Sequence, residues 1–208
     1  MNHQQLKSKR KKLEDSFVKS EDIVSKLSLK RILTEVSIEK VDGADVSNTE
    51  AVAGSSSKGS ALMAGLLGAL RAYHLWFHAA HNLTKGTGFA GDHTSLYGKI
   101  YVESLETLDA AIERGVGVFD NEELGCPNML TQLALQVLNG WVSPANRSEG
   151  EIAKDALEYS LEMCALVDGI AKSLDSLGAL TYGLDDFLAS ICSSHEEYVY
   201  LLRQRVKK

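Results

Sequence analysis

From Ile152 to Leu177 the chain places apolar residues in alternating four- and three-residue steps: Ile152, Ala156, Tyr159, Met163, Leu166, Ile170, Leu174 and Leu177. That spacing keeps one face of a helix against a partner for nearly four heptads, so the stretch reads as the seam of a helical bundle. The pattern returns through Leu184, Leu188, Ile191, His195, Tyr198 and Leu202, after a Gly-containing turn at 178–183. Earlier, Leu62, Leu66, Tyr73, Phe77 and Ala80 predict a helix over about 60–84. Tyr97, Tyr101, Leu105, Leu108 and Ile112 predict a second over about 92–114, closed by Gly115 and Gly117. A short amphipathic helix, 129–138, is bracketed by Cys126-Pro127 and Asn139-Gly140. Only two prolines occur in 208 residues, which fits an all-α chain because proline interrupts helices.

The first-to-second and third-to-fourth connections are short, whereas the second-to-third is long and holds its own helix. Two hairpins joined by one crossover form the topology of a ferritin-like four-helix bundle. The fold class expected is therefore all-α, with a short extra helix between the second and third bundle helices on residues 58–208. Residues 1–57 are read as an N-terminal arm. Within it, Val24, Leu27, Ile32 and Val36 fit a short docking helix in the segment 17–38, and 41–58 is a linker rich in Gly, Ser, Asp and Asn.

Charge divides along the same boundary. Residues 1–40 hold ten Lys or Arg against six Asp or Glu, while the whole chain carries a net charge of −6. The arm is basic and the body acidic. The peak at Lys7, Lys9, Arg10, Lys11 and Lys12 is either a solubilising tail or a non-specific contact to the phosphate backbone of DNA, held by counterion release. The N-terminus is polar where a secretory signal turns apolar, and no apolar run is long enough to span a bilayer, so a cytoplasmic location is expected, nucleoid-associated if the basic cluster contacts DNA. Cys126, Cys164 and Cys192 are widely spaced and odd in number, which argues for reduced thiols over a disulfide framework or a zinc ribbon.

Four of the six histidines fall in YHLWFHAAHNLTKGTGFAGDH, residues 73–93. His74, His78 and His81 stand at i, i+4 and i+7, within about 60° of one another on a helix. His74 and His78 read as boundary residues beside the core stripe, His78 remaining an additional candidate ligand. His195 occupies a seam position and reads as a hydrogen-bonded core residue. No histidine has a Glu three residues before it, so the Glu-x-x-His di-iron arrangement is excluded. Glu106, Asp109 and Glu113 form one acidic stripe at i, i+3 and i+7, open to reading as a solvated face or as ligands.

His81, Lys85-Gly86, Phe89 and His93, followed by Asp109, Glu113 and Arg114, give the string H-x3-KG-x2-F-x3-H and then D-x3-ER. In this spacing the body, roughly residues 60–206, resembles the Dps family, the mini-ferritins that store iron and protect DNA. The resemblance implies a hollow shell, usually of twelve identical subunits, that binds iron and oxidises Fe(II) to Fe(III) between two-fold-related subunits. One subunit would supply His81 and His93, and its partner Asp109 and Glu113. Imidazole and carboxylate together suit iron, and carboxylate favours the Fe(III) product.

Two departures from the family pattern are specific. Tyr97 stands where a further acidic ligand is usual, four residues after the second histidine. The step from His93 to Asp109 is sixteen residues, one more than usual, which on a regular helix turns Asp109 about 160° from His93 instead of about 60°. A π-bulge, or His93 lying before the first turn, would restore the phase. Both departures and the long arm also fit a different class, a catalytically silent ferritin-like protein docked by its arm into a larger particle such as a virion. Nucleophilic catalysis finds no GxSxG and no cysteine with a placed base. The run KGTGFAG lies between helices, not after a strand as a phosphate loop requires.

Overall fold

Five α-helices make up most of residues 49–207, which the computed structural model describes. The Lys7–Lys12 cluster, the segment 17–38 and residues 41–48 of the expected linker lie outside the described residues. Helix α1 spans Thr49–Leu83, and after a short loop a π-helical segment, Gly91–Gly98, runs directly into α2, Lys99–Phe119. A 3₁₀ turn, Glu122–Gly125, and α3, Pro127–Leu138, occupy the crossover. The second hairpin is α4, Glu149–Ser176, and α5, Tyr182–Val206. No strand occurs among the described residues, and none of their helices is long and apolar enough to cross a membrane.

Side-chain bonds at the helix ends fix the topology. Glu149, at the start of α4, accepts the Gly88 N–H beyond the end of α1, and Arg205, near the end of α5, donates to Asp92 ahead of α2. At the opposite end Asn121 donates to Ser60 Oγ at 2.7 Å, and Arg114 reaches the Gly183 carbonyl at 3.1 Å. Helices α2 and α4 are therefore parallel, and the crossover must travel the length of the bundle, with α3 packed on α1. Its return is pinned by three bonds: Trp76 Nε1 to the Val142 carbonyl, the Val142 N–H to Tyr159 Oη, and Trp141 Nε1 to Glu162.

Two boundaries differ from the sequence expectation. Helix α1 begins at Thr49, inside the expected linker, so residues 49–58 are helical. Once packing has nucleated the helix, each added residue needs only propagation, which Glu50, Ala51 and Ala53 support. Helix α2 passes through Gly115 and Gly117 and stops at Asp120, in the left-handed region at φ 48°. Gly115 is a packing residue: a Cβ there would lie 3.2 Å from Leu124 Cδ1. The seam of α4 matches its apolar spacing, and a capping box between Ser148 and Glu151 starts that helix.

Two buried ionisable groups, His195 and Glu162, have pKa values shifted in opposite senses. His195 is buried between Tyr73 and Tyr198, and its Nδ1 has no hydrogen-bond partner among the described residues, where a bonded histidine was expected. Burial lowers its pKa from 6.5 to about 4. Burial also raises Glu162 from 4.5 to about 7, against the opposing bond from Trp141. The unfolded chain takes up the His195 proton between pH 6.5 and 4 before the folded chain does, so stability is lost as pH falls across that window. The folded chain keeps the Glu162 proton where the unfolded chain releases it, so stability is lost as pH rises from 4.5 to 7. The two trends oppose each other. Urea denaturation of wild type and His195→Gln across this range should give a stability difference that shifts towards the variant by about 1.4 kcal/mol per pH unit on acidification. A difference independent of pH would refute the burial of a neutral imidazole.

Candidate metal centre

His81 lies in the last turn of α1, and the chain returns to it within twelve residues. Gly86, at φ 88°, turns the loop, and the π-helical segment brings His93 alongside. The two imidazoles stack with centroids 3.8 Å apart and planes 16° from parallel. Each ring bonds the other's backbone: His81 Nδ1 lies 2.6 Å from the His93 carbonyl, and His93 Nδ1 lies 2.7 Å from the His81 carbonyl. A carbonyl can only accept, so each neutral ring must carry its proton on Nδ1. Both Nε2 lone pairs are thereby left unprotonated, which is the form that binds a metal, with each Nδ1–H already held by a carbonyl.

The pair is enclosed on several sides. Phe89 stacks on His93 at 5.0 Å, and Tyr101 tilts against His81 at 5.0 Å. Gly98 leaves the space the pair occupies: a Cβ there would lie 2.6 Å from the His93 carbonyl oxygen and 3.2 Å from His81 Nδ1. Gly98 and Tyr101 were absent from the sequence-derived candidates. An isolated glycine inside an amphipathic helical pattern was the available sign of the former.

The other histidines of the stripe differ in chemistry. His74 is buried, and its Nδ1 faces the Arg71 guanidinium at 3.4 Å. Arginine can only donate, so His74 takes the opposite tautomer. Burial, with Arg71 second, lowers its affinity for a proton. His78 is exposed and packs on Tyr101 at 4.9 Å.

The longer step between His93 and Asp109 falls in π-helical geometry. Each π turn holds an i→i+5 bond, so residue i+5 takes the place that i+4 has in an α-helix. One such turn makes sixteen residues rotate as about fifteen do on a regular helix. Tyr97 is correspondingly displaced from the histidines. Its ring is fully buried near Phe77, and its hydroxyl has no hydrogen-bond partner among the described residues. Burial, then the nearby Asp92 charge, raises its pKa strongly. Gly98, one π turn after His93, takes the place beside the pair.

Asp109, Glu113 and Glu106 are exposed on α2. Glu103 accepts from Tyr198 Oη at 2.6 Å and lies 3.9 Å from Lys99. Eleven residues separate Gly98 from Asp109, about 16 Å along the helix at 1.5 Å per residue. One chain therefore cannot bring its own Asp109 to its own histidine pair. Among the described residues no group of three metal-binding side chains forms within a chain. The Gly-rich loop holds no open anion cradle either, because Glu149 accepts both the Gly88 N–H and the Thr87 hydroxyl.

No family model matches the sequence, and no curated protein matches it at a significant level. Among solved structures, Dps from Mycobacterium smegmatis in its tetragonal crystal form is similar, with a TM-score of 0.62 at 14% identity over 82% of this chain and 96% of that one. The likeness establishes the fold as a ferritin-like helical bundle.

Replacing Gly98 with Ala should separate the two rings and weaken Co(II) or Zn(II) binding about 10–100-fold, the usual effect of disturbing the bonds that orient a ligating histidine. Isothermal titration calorimetry measures this directly. Unchanged affinity would show that the stacked pair is not the binding unit.

Proposed function

We propose that the chain assembles into a homo-oligomeric, Dps-like protein that binds Fe(II) at a centre shared by two subunits, oxidises it and stores the product. The reciprocal Nδ1 bonds of His81 and His93 carry this reading, since they present two unprotonated Nε2 atoms side by side. The donor set also fits the substrate, because imidazole with carboxylate suits iron and exposed carboxylates favour the higher charge of Fe(III).

Pairing α2 with its two-fold mate supplies the missing ligands. An axis crossing α2 at the level of Leu105 exchanges the level of Gly98 with that of Ile112. His81 and His93 then face Asp109 of the partner subunit and Glu113 of the partner subunit. Val102 and Leu105, 45% and 46% exposed, provide apolar surface at the middle of such an isologous contact. Fe(II) held there gives up one electron per ion, and two ions reduce one peroxide to two waters with two protons. Tyr101 and Phe89 shield the imidazoles from bulk water. The acidic body accepts Fe(III) within a hollow shell, for which the family resemblance indicates twelve subunits. Lys7, Lys9, Arg10, Lys11 and Lys12 would hold DNA through its phosphates, in a salt-sensitive way.

Complementation tests the shared centre. His81→Ala and Asp109→Ala proteins, each alone, should oxidise Fe(II) no faster than buffer. Co-assembled from equal parts, half of all pairs are mixed and each mixed pair keeps one intact centre of two, so about a quarter of the wild-type rate should return. Absence of recovery, with wild type active, would place the centre within a single chain. A wild type no faster than buffer would favour the silent, arm-docked protein.

A further inference from the structure

We propose that Arg205 is a positioning residue for the histidine pair, acting through the buried carboxylate of Asp92 and tying the C-terminal turn of α5 to the π-helical segment. The inference rests on the reading of His81 and His93 as metal ligands only for its functional consequence. Its structural content is independent of that reading.

Asp92 immediately precedes His93, and its side chain is 4% exposed. Arg205 Nε lies 2.8 and 3.0 Å from its two oxygens, and Arg205 Nη2 lies 3.4 Å from Glu149 Oε2. Glu149 in turn accepts the Gly88 N–H at 3.1 Å and the Thr87 hydroxyl at 3.2 Å. One guanidinium thus links both ends of the loop between the two histidines to the start of α4. The loop is shaped around it. A Cβ on Gly88 would lie 2.7 Å from Arg205 Nη2, and one on Gly86 would lie 2.6 Å from Glu149 Oε2.

A π-helical segment carries a residue more per turn than the α-helix and is rarely maintained without local anchors. Here Asp92 is anchored at one end by Arg205, and Tyr97 is buried at the other. Without the clamp, Asp92 would be a buried charge lacking its counter-ion, and the cheapest escape rotates it to solvent. Because His93 is the next residue, that rotation carries its ring away from His81 and breaks both Nδ1 bonds. Arg205 touches neither histidine. It sets the helical phase in which they meet.

The test uses full-length, metal-free protein and reads the ring-nitrogen tautomers of His81 and His93 by ¹H–¹⁵N NMR, with Co(II) titration as a second readout. Arg205→Ala and Asp92→Asn should lose the fixed Nδ1–H form at both histidines and bind Co(II) about tenfold or more weakly. Arg205→Lys, which keeps the charge but cannot bridge two carboxylates in a fork, should fold and retain part of each signal. Asn121→Ala, at the opposite end of the bundle, should lower thermal stability while leaving both tautomers fixed. Tautomers in Arg205→Lys and Asp92→Asn identical to wild type would overturn the proposal, and so would equal disturbance by Asn121→Ala. A wild type that binds no Co(II), with tautomers that still depend on Arg205, would remove the metal reading and uphold the positioning role.

Discussion

Backbone hydrogen bonding in the segment Gly91–Gly98 is the constraint on which the remaining geometry depends. Shifting from i→i+4 to i→i+5 bonding accommodates a residue that a regular helix would rotate out of register. Everything on α2 beyond Gly98 inherits that phase, including the placement of Asp109 and Glu113 relative to the histidines. The segment also separates two neighbours by role, since Asp92 turns inward to Arg205 while His93 turns to His81. Without the extra residue, Tyr97 would occupy the place of Gly98, and a ring would stand where the histidine pair needs bare backbone.

Polar groups in this bundle follow two different economies of burial. At the histidine end charges meet in a network of Glu149, Arg205 and Asp92, and the two histidine rings bond carbonyls, while the Tyr97 hydroxyl has no partner among the described residues. In the middle of the bundle they are kept neutral instead. Tyr73 and Ser160 share a hydrogen bond at 2.7 Å, His195 remains uncharged against aromatic rings, and Glu162 holds its proton into the neutral range. A charged, networked end and an uncharged waist are the pattern expected when one end must stay geometrically exact and the waist need only pack.

Much of the architecture was legible in the sequence, and the reason is periodicity. The seam of α4 and α5 announces a bundle because a 3.5-residue repeat leaves few alternatives, and the long connection holding α3 implies the crossover. The pairing of His81 with His93 was implied by the family resemblance that the KG and Phe89 between them carry. What escaped the sequence depends on distances along the chain. Arg205 lies 113 residues from Asp92, and Glu149 lies 61 from Gly88, so neither spacing could identify these contacts. Gly98 is a weak helical position by local propensity, and its value comes from atoms of His81 and His93 that propensity does not register. The helical state of 49–58 was hidden by composition: Gly and Ser suggest a linker unless a long neighbouring helix is already nucleated.

That helical extension has a geometric consequence for whatever precedes it. Thr49 stands thirty-two residues before His81 on one helix, about 48 Å away at 1.5 Å per residue. A chain entering at Thr49 therefore joins the body at the end of α1 far from the histidine pair of the same subunit. Anything joined to the chain there is held off from the His81 end, at its point of attachment, by the full length of α1.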